Sequence, residues 1–139
     1  MEKYKVLEHT ADLMIQAFGA TLGELFENAA IGMCEQVVEK KVLTGTTGTY
    51  PIEVNLFGGI ENIFRDFLNI IKDGLYDFGR YPIFLDFYDG VAVVHFEEMD
   101  RDKSVFCDEI KAVTFCEMLI TREILEEKWW WQTKIVFDV

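Results

Sequence analysis

Apolar residues in this chain recur at spacings of two and then of three and four, and the switches between those periods mark its elements. Leu13, Ile15 and Ala17 alternate with Met14, Gln16 and Phe18, so Leu13–Phe18 reads as a strand that is apolar on both faces. Such a strand needs cover on both sides. Tyr4–Glu8 reads as a short strand before it. Gly19 ends the strand, and Thr21-x-x-Glu24 has the pattern in which two side chains satisfy the first free N–H groups of a helix. Leu22, Leu25, Phe26, Ala29, Ala30 and Met33 then follow at helical spacing, with Glu24, Glu27, Asn28 and Glu35 mostly off that stripe. An amphipathic helix packed on a sheet is expected.

The Gly/Thr-rich run Leu43–Thr49 reads as a loop or hairpin tip leading to a strand near Tyr50–Phe57. After Gly58-Gly59, a second helix is expected over roughly Ile60–Leu75, with Ile60, Ile63, Phe64, Phe67, Leu68, Ile71 and Leu75 as its apolar stripe. Phe84–Asp89 and Val91–Glu97 flank Asp89-Gly90, a two-residue hairpin signal. The charged run Met99–Cys107 is expected to be a mobile surface loop. Glu109–Thr121 reads as one long strand, Glu123–Lys128 as a turn and Trp129–Val139 as the last strand. On that strand Trp129, Trp131, Thr133, Ile135 and Phe137 share a face. Core packing accounts for the Trp129–Trp131 triplet better than a base-stacking platform, which would want basic neighbours. The order β-β-α-β-α-β-β-β-β predicts an α+β fold, a largely antiparallel or mixed sheet system covered by two amphipathic helices. One domain over residues 1–139 suffices.

Composition supports a packed core, since 50% of the residues are hydrophobic and 14% aromatic. Thirteen basic against 25 acidic residues give a formal charge of −12. Such a surface repels phosphate backbones, so direct nucleic-acid binding is not expected. It suits a cation or a basic protein partner. Cys34, Cys107 and Cys116 are odd in number and form no C-x-x-C pair, so reduced, buried thiols in a cytoplasmic protein are expected. Residues 1–20 lack the apolar core of a signal peptide, and no run of about 18 apolar residues offers a membrane span.

The chemistry-bearing residues sit at the extremes. Asp12 closes His9-Thr10-Ala11-Asp12, in the turn between the first two strands, and Asp138 stands in Val136-Phe137-Asp138-Val139. If the fold brings these ends together, two carboxylates and the terminal oxygens of Val139 converge as donors for a hard divalent cation, Ca²⁺, Mg²⁺ or Mn²⁺. The alternative is a turn acid and a solvated strand residue. Asp66 and Asn69 share a face of the second helix, as outer ligands or as solvated groups. His9 and His95 are the only histidines, and no spacing signature of a zinc site or a Cys–His nucleophile accompanies them. His95, inside Val91–Phe96, reads as a hydrogen-bonded sheet histidine. Gly58-Gly59 lacks the Lys-Ser/Thr of a phosphate-binding loop.

Taken in order, His9–Asp12, the helix segment Thr21–Ala30, Arg65–Asn69, Glu109–Thr114 and Phe137-Asp138-Val139 resemble the archease family over essentially the whole chain. The resemblance implies a small protein cofactor of the tRNA-splicing RNA ligase, which joins a 3′-phosphate or cyclic phosphate to a 5′-hydroxyl using GTP and Mn²⁺. It implies a non-enzymatic role, promoting guanylylation and multiple turnover of the ligase. It also implies a metal pocket at Asp12, Asp138 and Val139, with Asp66, Lys111 and His9 secondary. This chain departs from the family pattern at Thr114-Phe115-Cys116, where Thr-Tyr-His is frequent, and at Asp102-Lys103-Ser104, which lacks a histidine often found there. Any role of those side chains does not carry over. Two other readings stand beside this one. One is a metal-dependent phosphoesterase with His9 as base; the other is a chaperone-like binding module without a metal.

Overall fold

In the computed structural model, residues 1–8, 12–54, 59–107, 109–114 and 118–139 are described. The elements run β1 (Tyr4–Leu7), β2 (Leu13–Gly19), α1 (Leu22–Val37), β3 (Val38–Lys40), β4 (Leu43–Glu53), α2 (Ile60–Phe78), β5 (Arg80–Tyr88), β6 (Val91–Met99), β7 (Val105–Phe106), β8 (Ala112–Thr114), β9 (Thr121–Leu125) and β10 (Lys128–Asp138). The first sheet has the order β1-β2-β10-β8, with β9 also paired to β10. A second sheet has the order β4-β6-β5, and β3 and β7 form a two-stranded ribbon. Every pairing is antiparallel. The α+β expectation holds, with two helices and antiparallel sheets in one domain.

Helix α1 packs on β2 of the first sheet and β5 of the second, while α2 packs on β5 and β8. The stripes read from the sequence meet there: Ile15, Ala17, Leu25, Ala29, Phe64, Leu68, Ile71, Ile135 and Phe137 are all fully buried. Phe26 lies 4.8 Å from Phe64 and 5.1 Å from Phe67, ring centre to ring centre. Strand β2 is central and half-buried or buried at every position, as its two apolar faces require. The start of α1 is capped as expected: Thr21 Oγ1 accepts from Glu24 N at 3.1 Å, and Glu24 Oε1 accepts from Ala20 N at 3.2 Å. Asn28, off the apolar stripe, is nonetheless buried and donates to the Phe18 carbonyl at 2.8 Å, tying α1 to β2. Helix α2 runs past Leu75 to Phe78 and stops at Gly79, whose φ of 66° lets its N–H reach back to the last turn.

Several expectations are corrected. Leu43–Thr49 is not a loop; it is the first half of β4, pairing with β6 across an irregularity between Leu43 and Thr47. The strand expected near Tyr50–Phe57 ends at Glu53, and residues 55–57 lie outside those described. Glu109–Thr121 is not one strand: Ala112–Thr114 pairs with one end of β10, and β9 pairs with the other. The turn between β9 and β10 narrows to Glu126 and Glu127, both at positive φ. Met99–Cys107 is not a mobile loop. Asp100 Oδ1 accepts from the Asp102 and Lys103 amides at 3.1 Å, buried Ser104 bonds Val42 N at 3.0 Å, and Val105–Phe106 pairs with β3. Trp129 is not core but 56% exposed, since the β9–β10 hairpin runs beyond the helices' cover. Arg122 lies over Trp129 at 5.2 Å and over Trp131 at 5.3 Å.

Tyr50 buries its hydroxyl against Gly74 with no hydrogen-bond partner among the described residues. An unsatisfied buried hydroxyl costs about 1–3 kcal/mol, and Phe keeps the ring. Tyr50→Phe is therefore expected to raise stability by roughly 1 kcal/mol in urea unfolding. A loss of that size would mean the hydroxyl is satisfied in solution.

Candidate functional site

The two ends of the chain meet as neighbouring strands. Strands β2 and β10 pair antiparallel from Trp131↔Gly19 to Phe137↔Leu13. Asp12 directly precedes Leu13 and Asp138 directly follows Phe137, so each acid is the next residue beyond the same end of one ladder. Asp12 is half-buried and Asp138 exposed. The alternating apolar residues of both strands cause this, because burying Ile15 against Ile135 and Leu13 against Phe137 admits one register.

Further contacts hold the end of β10 in place. Asp138 pairs with Ala112 of β8, and its carbonyl accepts from Lys111 N at 2.7 Å. Helix α2 fastens β8 in turn: Val113 N donates to Asn69 Oδ1 at 3.3 Å, while Asn69 Nδ2 donates to the Arg65 carbonyl at 3.0 Å. Lys72 Nζ donates to the Lys111 carbonyl at 3.1 Å and pairs with Asp73 at 3.4 Å. Asn69 thus joins helix to strand. Lys72 was not foreseen. It lies on the polar flank of the helix, and no local pattern links it to a strand 39 positions away.

The other candidates fall as follows. Asp66 is exposed and bonds Arg65 at 3.0 Å. Lys111 is exposed just before β8, and its backbone does the bridging described above. His9 lies outside the described residues, as do Phe115 and Cys116. Val139 packs partly against the core. Among the described residues no three or more His, Cys, Asp or Glu side chains gather closely enough to hold a metal ion.

His95 is a hydrogen-bonded sheet histidine, its Nε2 2.8 Å from Asp86 Oδ2. Among the described residues, neither Cys34 nor Cys107 is paired with it. Burial, and secondarily the Glu35 carboxylate, pushes the Cys34 thiol far up from its ordinary value. Cys107 is exposed, contrary to the expectation of buried thiols, and its Sγ donates to the Gln36 carbonyl at 3.0 Å. Among the described residues no helix is long and apolar enough to cross a membrane.

Comparison with known proteins extends over the whole chain. The family model described as the archease protein family matches residues 4–139. A protein archease of Methanosarcina barkeri is 31% identical over 156 aligned positions, covering 99% of this chain and 97% of the relative. One from Pyrobaculum islandicum is 34% identical, covering 98% and 95%. The crystal structure of a Thermotoga maritima protein described as an archease and possible chaperone superposes with a TM-score of 0.70 at 25% identity, covering 97% of this chain and 96% of that one. The solution structure of a Methanobacterium thermoautotrophicum protein shares the fold at TM-score 0.70 and 21% identity. These matches agree with the motifs read in order along the chain, and the protein belongs to the archease family.

Proposed function

We propose that this chain is a non-catalytic protein cofactor that activates the GTP- and Mn²⁺-dependent tRNA-splicing RNA ligase, promoting the ligase's guanylylation and multiple turnover. Family membership supports an accessory role of this kind. The carrying observation is the β2–β10 register, which leaves Asp12 and Asp138 as the next residues past one ladder end. In this reading Asp12, Asp138 and an oxygen of Val139 hold one divalent cation, Ca²⁺ with Mn²⁺ or Mg²⁺ as alternatives. An all-oxygen donor set suits hard cations and disfavours zinc. Asp66, Lys111 and His9 have secondary roles around it. A cation held by these residues would supply positive charge for nucleotide transfer on the ligase. The protein's part is to hold the two carboxylates at fixed spacing, through Lys111 and Ala112 on one edge of β10 and β2 on the other.

A net charge of −12 fits docking on a basic, RNA-handling enzyme in the cytoplasm, and electrostatic attraction speeds such encounters. It disfavours direct tRNA binding. The test has two arms. Adding the chain to ligase with GTP and Mn²⁺ should raise guanylylation, and an unchanged rate ends the ligase reading. In thermal melts, Ca²⁺ or Mn²⁺ at a hundredfold excess over Kd should stabilise the chain by about 2.7 kcal/mol. Indifference to every cation at millimolar concentration would favour a metal-free, chaperone-like module. Phosphoester turnover by the chain alone would favour the metal-dependent phosphoesterase instead.

A further inference from the structure

The outward face of the second sheet carries chemistry that the strand-end site does not use. Along β6, Ala92, Val94 and Phe96 are buried, and Val91, Val93, His95 and Glu97 are turned the other way. The register sets Thr49, His95 and Phe84 in one row, Pro51, Val93 and Asp86 in the next, and Glu53, Val91 and Tyr88 in a third. The helices lie on the opposite side, where Phe26 and Phe67 meet Phe87. Phe84 is 47% exposed and Tyr88 59%.

Two observations single out one part of this face. The Phe84 ring stacks on the His95 imidazole, with centres 4.1 Å apart and planes 11° from parallel, and the imidazole Nε2 lies 2.8 Å from Asp86 Oδ2. Beside the stack runs a groove of about 340 Å³, lined by Thr47, Thr49, Ile83, Phe84, His95 and Glu97 among others. Glu53, Asp86 and Glu97 give the face three carboxylates, and none of the outward positions in these rows holds Lys or Arg.

An exposed aromatic shelf with the Glu97 carboxylate in the same groove, on a face that also carries Asp86 and Glu53, matches the recognition chemistry of arginine. A guanidinium plane stacks on a ring while its N–H fork donates to carboxylate oxygens, whereas a lysine ammonium is more strongly hydrated and lacks the plane. Nucleic acid is disfavoured by the same carboxylates. We infer that this groove seats an arginine side chain of a partner protein, between the Phe84–His95 stack and Glu97. The site is independent of Asp12 and Asp138.

The test titrates the ¹⁵N-labelled chain at low salt with a blocked pentapeptide bearing two arginines, and with its citrulline and lysine counterparts. The arginine peptide should shift the Phe84, His95 and Glu97 amides in a saturable way, the lysine peptide should bind more weakly, and the citrulline peptide should leave them unmoved. Phe84→Leu should weaken binding about threefold, the worth of an exposed cation–π contact. Glu97→Gln, which keeps an acceptor for the Gly45 amide, should weaken it several-fold. Asp12→Ala and Asp138→Ala should bind as the unmodified chain does, which separates this site from the proposed metal. Absence of saturable shifts would overturn the inference and leave the stack as a cross-strand pair that only stabilises the sheet. Shifts that citrulline reproduces, or that both groove variants leave unchanged, would overturn it equally.

Discussion

On the proposed function, Asp138→Ala should abolish stimulation of the RNA ligase while leaving the chain folded. The side chain is exposed, so its loss removes no packing, and surface changes of this kind usually fall within about 0.5 kcal/mol. The structural work of residue 138 is done by its backbone, which pairs with Ala112 and accepts from Lys111 N at 2.7 Å, and alanine retains both contacts. A direct carboxylate ligand is another matter. Loss of a group that only supports a ligand typically costs about 10–100-fold in metal affinity, and a ligand should cost at least as much. Asp12→Ala should behave likewise in the assay and in the cation-dependent melt, with a somewhat larger stability cost because Asp12 is half-buried. Asp66→Ala and Lys111→Ala, both exposed, should act weakly. The measurement is ligase guanylylation with GTP and Mn²⁺, beside circular dichroism of each variant. Full stimulation by both aspartate variants would refute the metal reading, whatever the family.

Gly19→Ala should destabilise the chain by about 3 kcal/mol or more, at the top of the range for overpacking a core. Gly19 closes β2 where α1 begins, and an added Cβ would lie 2.3 Å from Leu25 N and 2.7 Å from Leu25 Cα. Both are backbone atoms of a capped helix start, so no rotamer change relieves the clash. Either β2 or α1 must move, and that strains the Asn28 bond to Phe18 as well as the ladder to β10. Gly45→Ala is the control. Nothing lies within 4 Å of its added Cβ, and only a φ of +86° opposes the change, a strain of about 1–2 kcal/mol. Chemical denaturation of the two variants distinguishes a steric cost from a conformational one. Equal losses would mean that the β2–α1 junction relaxes freely.

The elements that the chain's pattern announced correctly are those whose stabilising contacts are local or periodic. Thr21 and Glu24 cap α1 within four residues, and seven apolar positions of α2 line up on one face whatever they pack against. The misreadings share another cause. Leu43–Thr49 is rich in glycine and threonine, and only its ladder to β6 makes it a strand. Glu109–Thr121 has strand-like residues throughout, but β10 offers two separate stretches on that edge, so the segment divides. Trp129 has the apolar character of a core residue, but its burial depended on how far the helices reach.

For the candidate site, residue types were enough to nominate Asp12 and Asp138, because carboxylates near both ends are chemically conspicuous. Side-chain periodicity also put Asp138 on the last strand and Asp12 in the turn just before the second, and each strand needs a buried neighbour. That those strands are each other's neighbours, in the one register that sets the two acids past the same ladder end, depends on pairings more than a hundred positions apart. Asn69 and Lys72, which fasten α2 to β8 across about forty positions, likewise depend on the tertiary fold, whereas the Phe84–His95 pair lies within a hairpin whose turn was legible. Local periodicity encodes which face of an element is apolar; which partner covers that face is settled only when all the elements compete for the same interior.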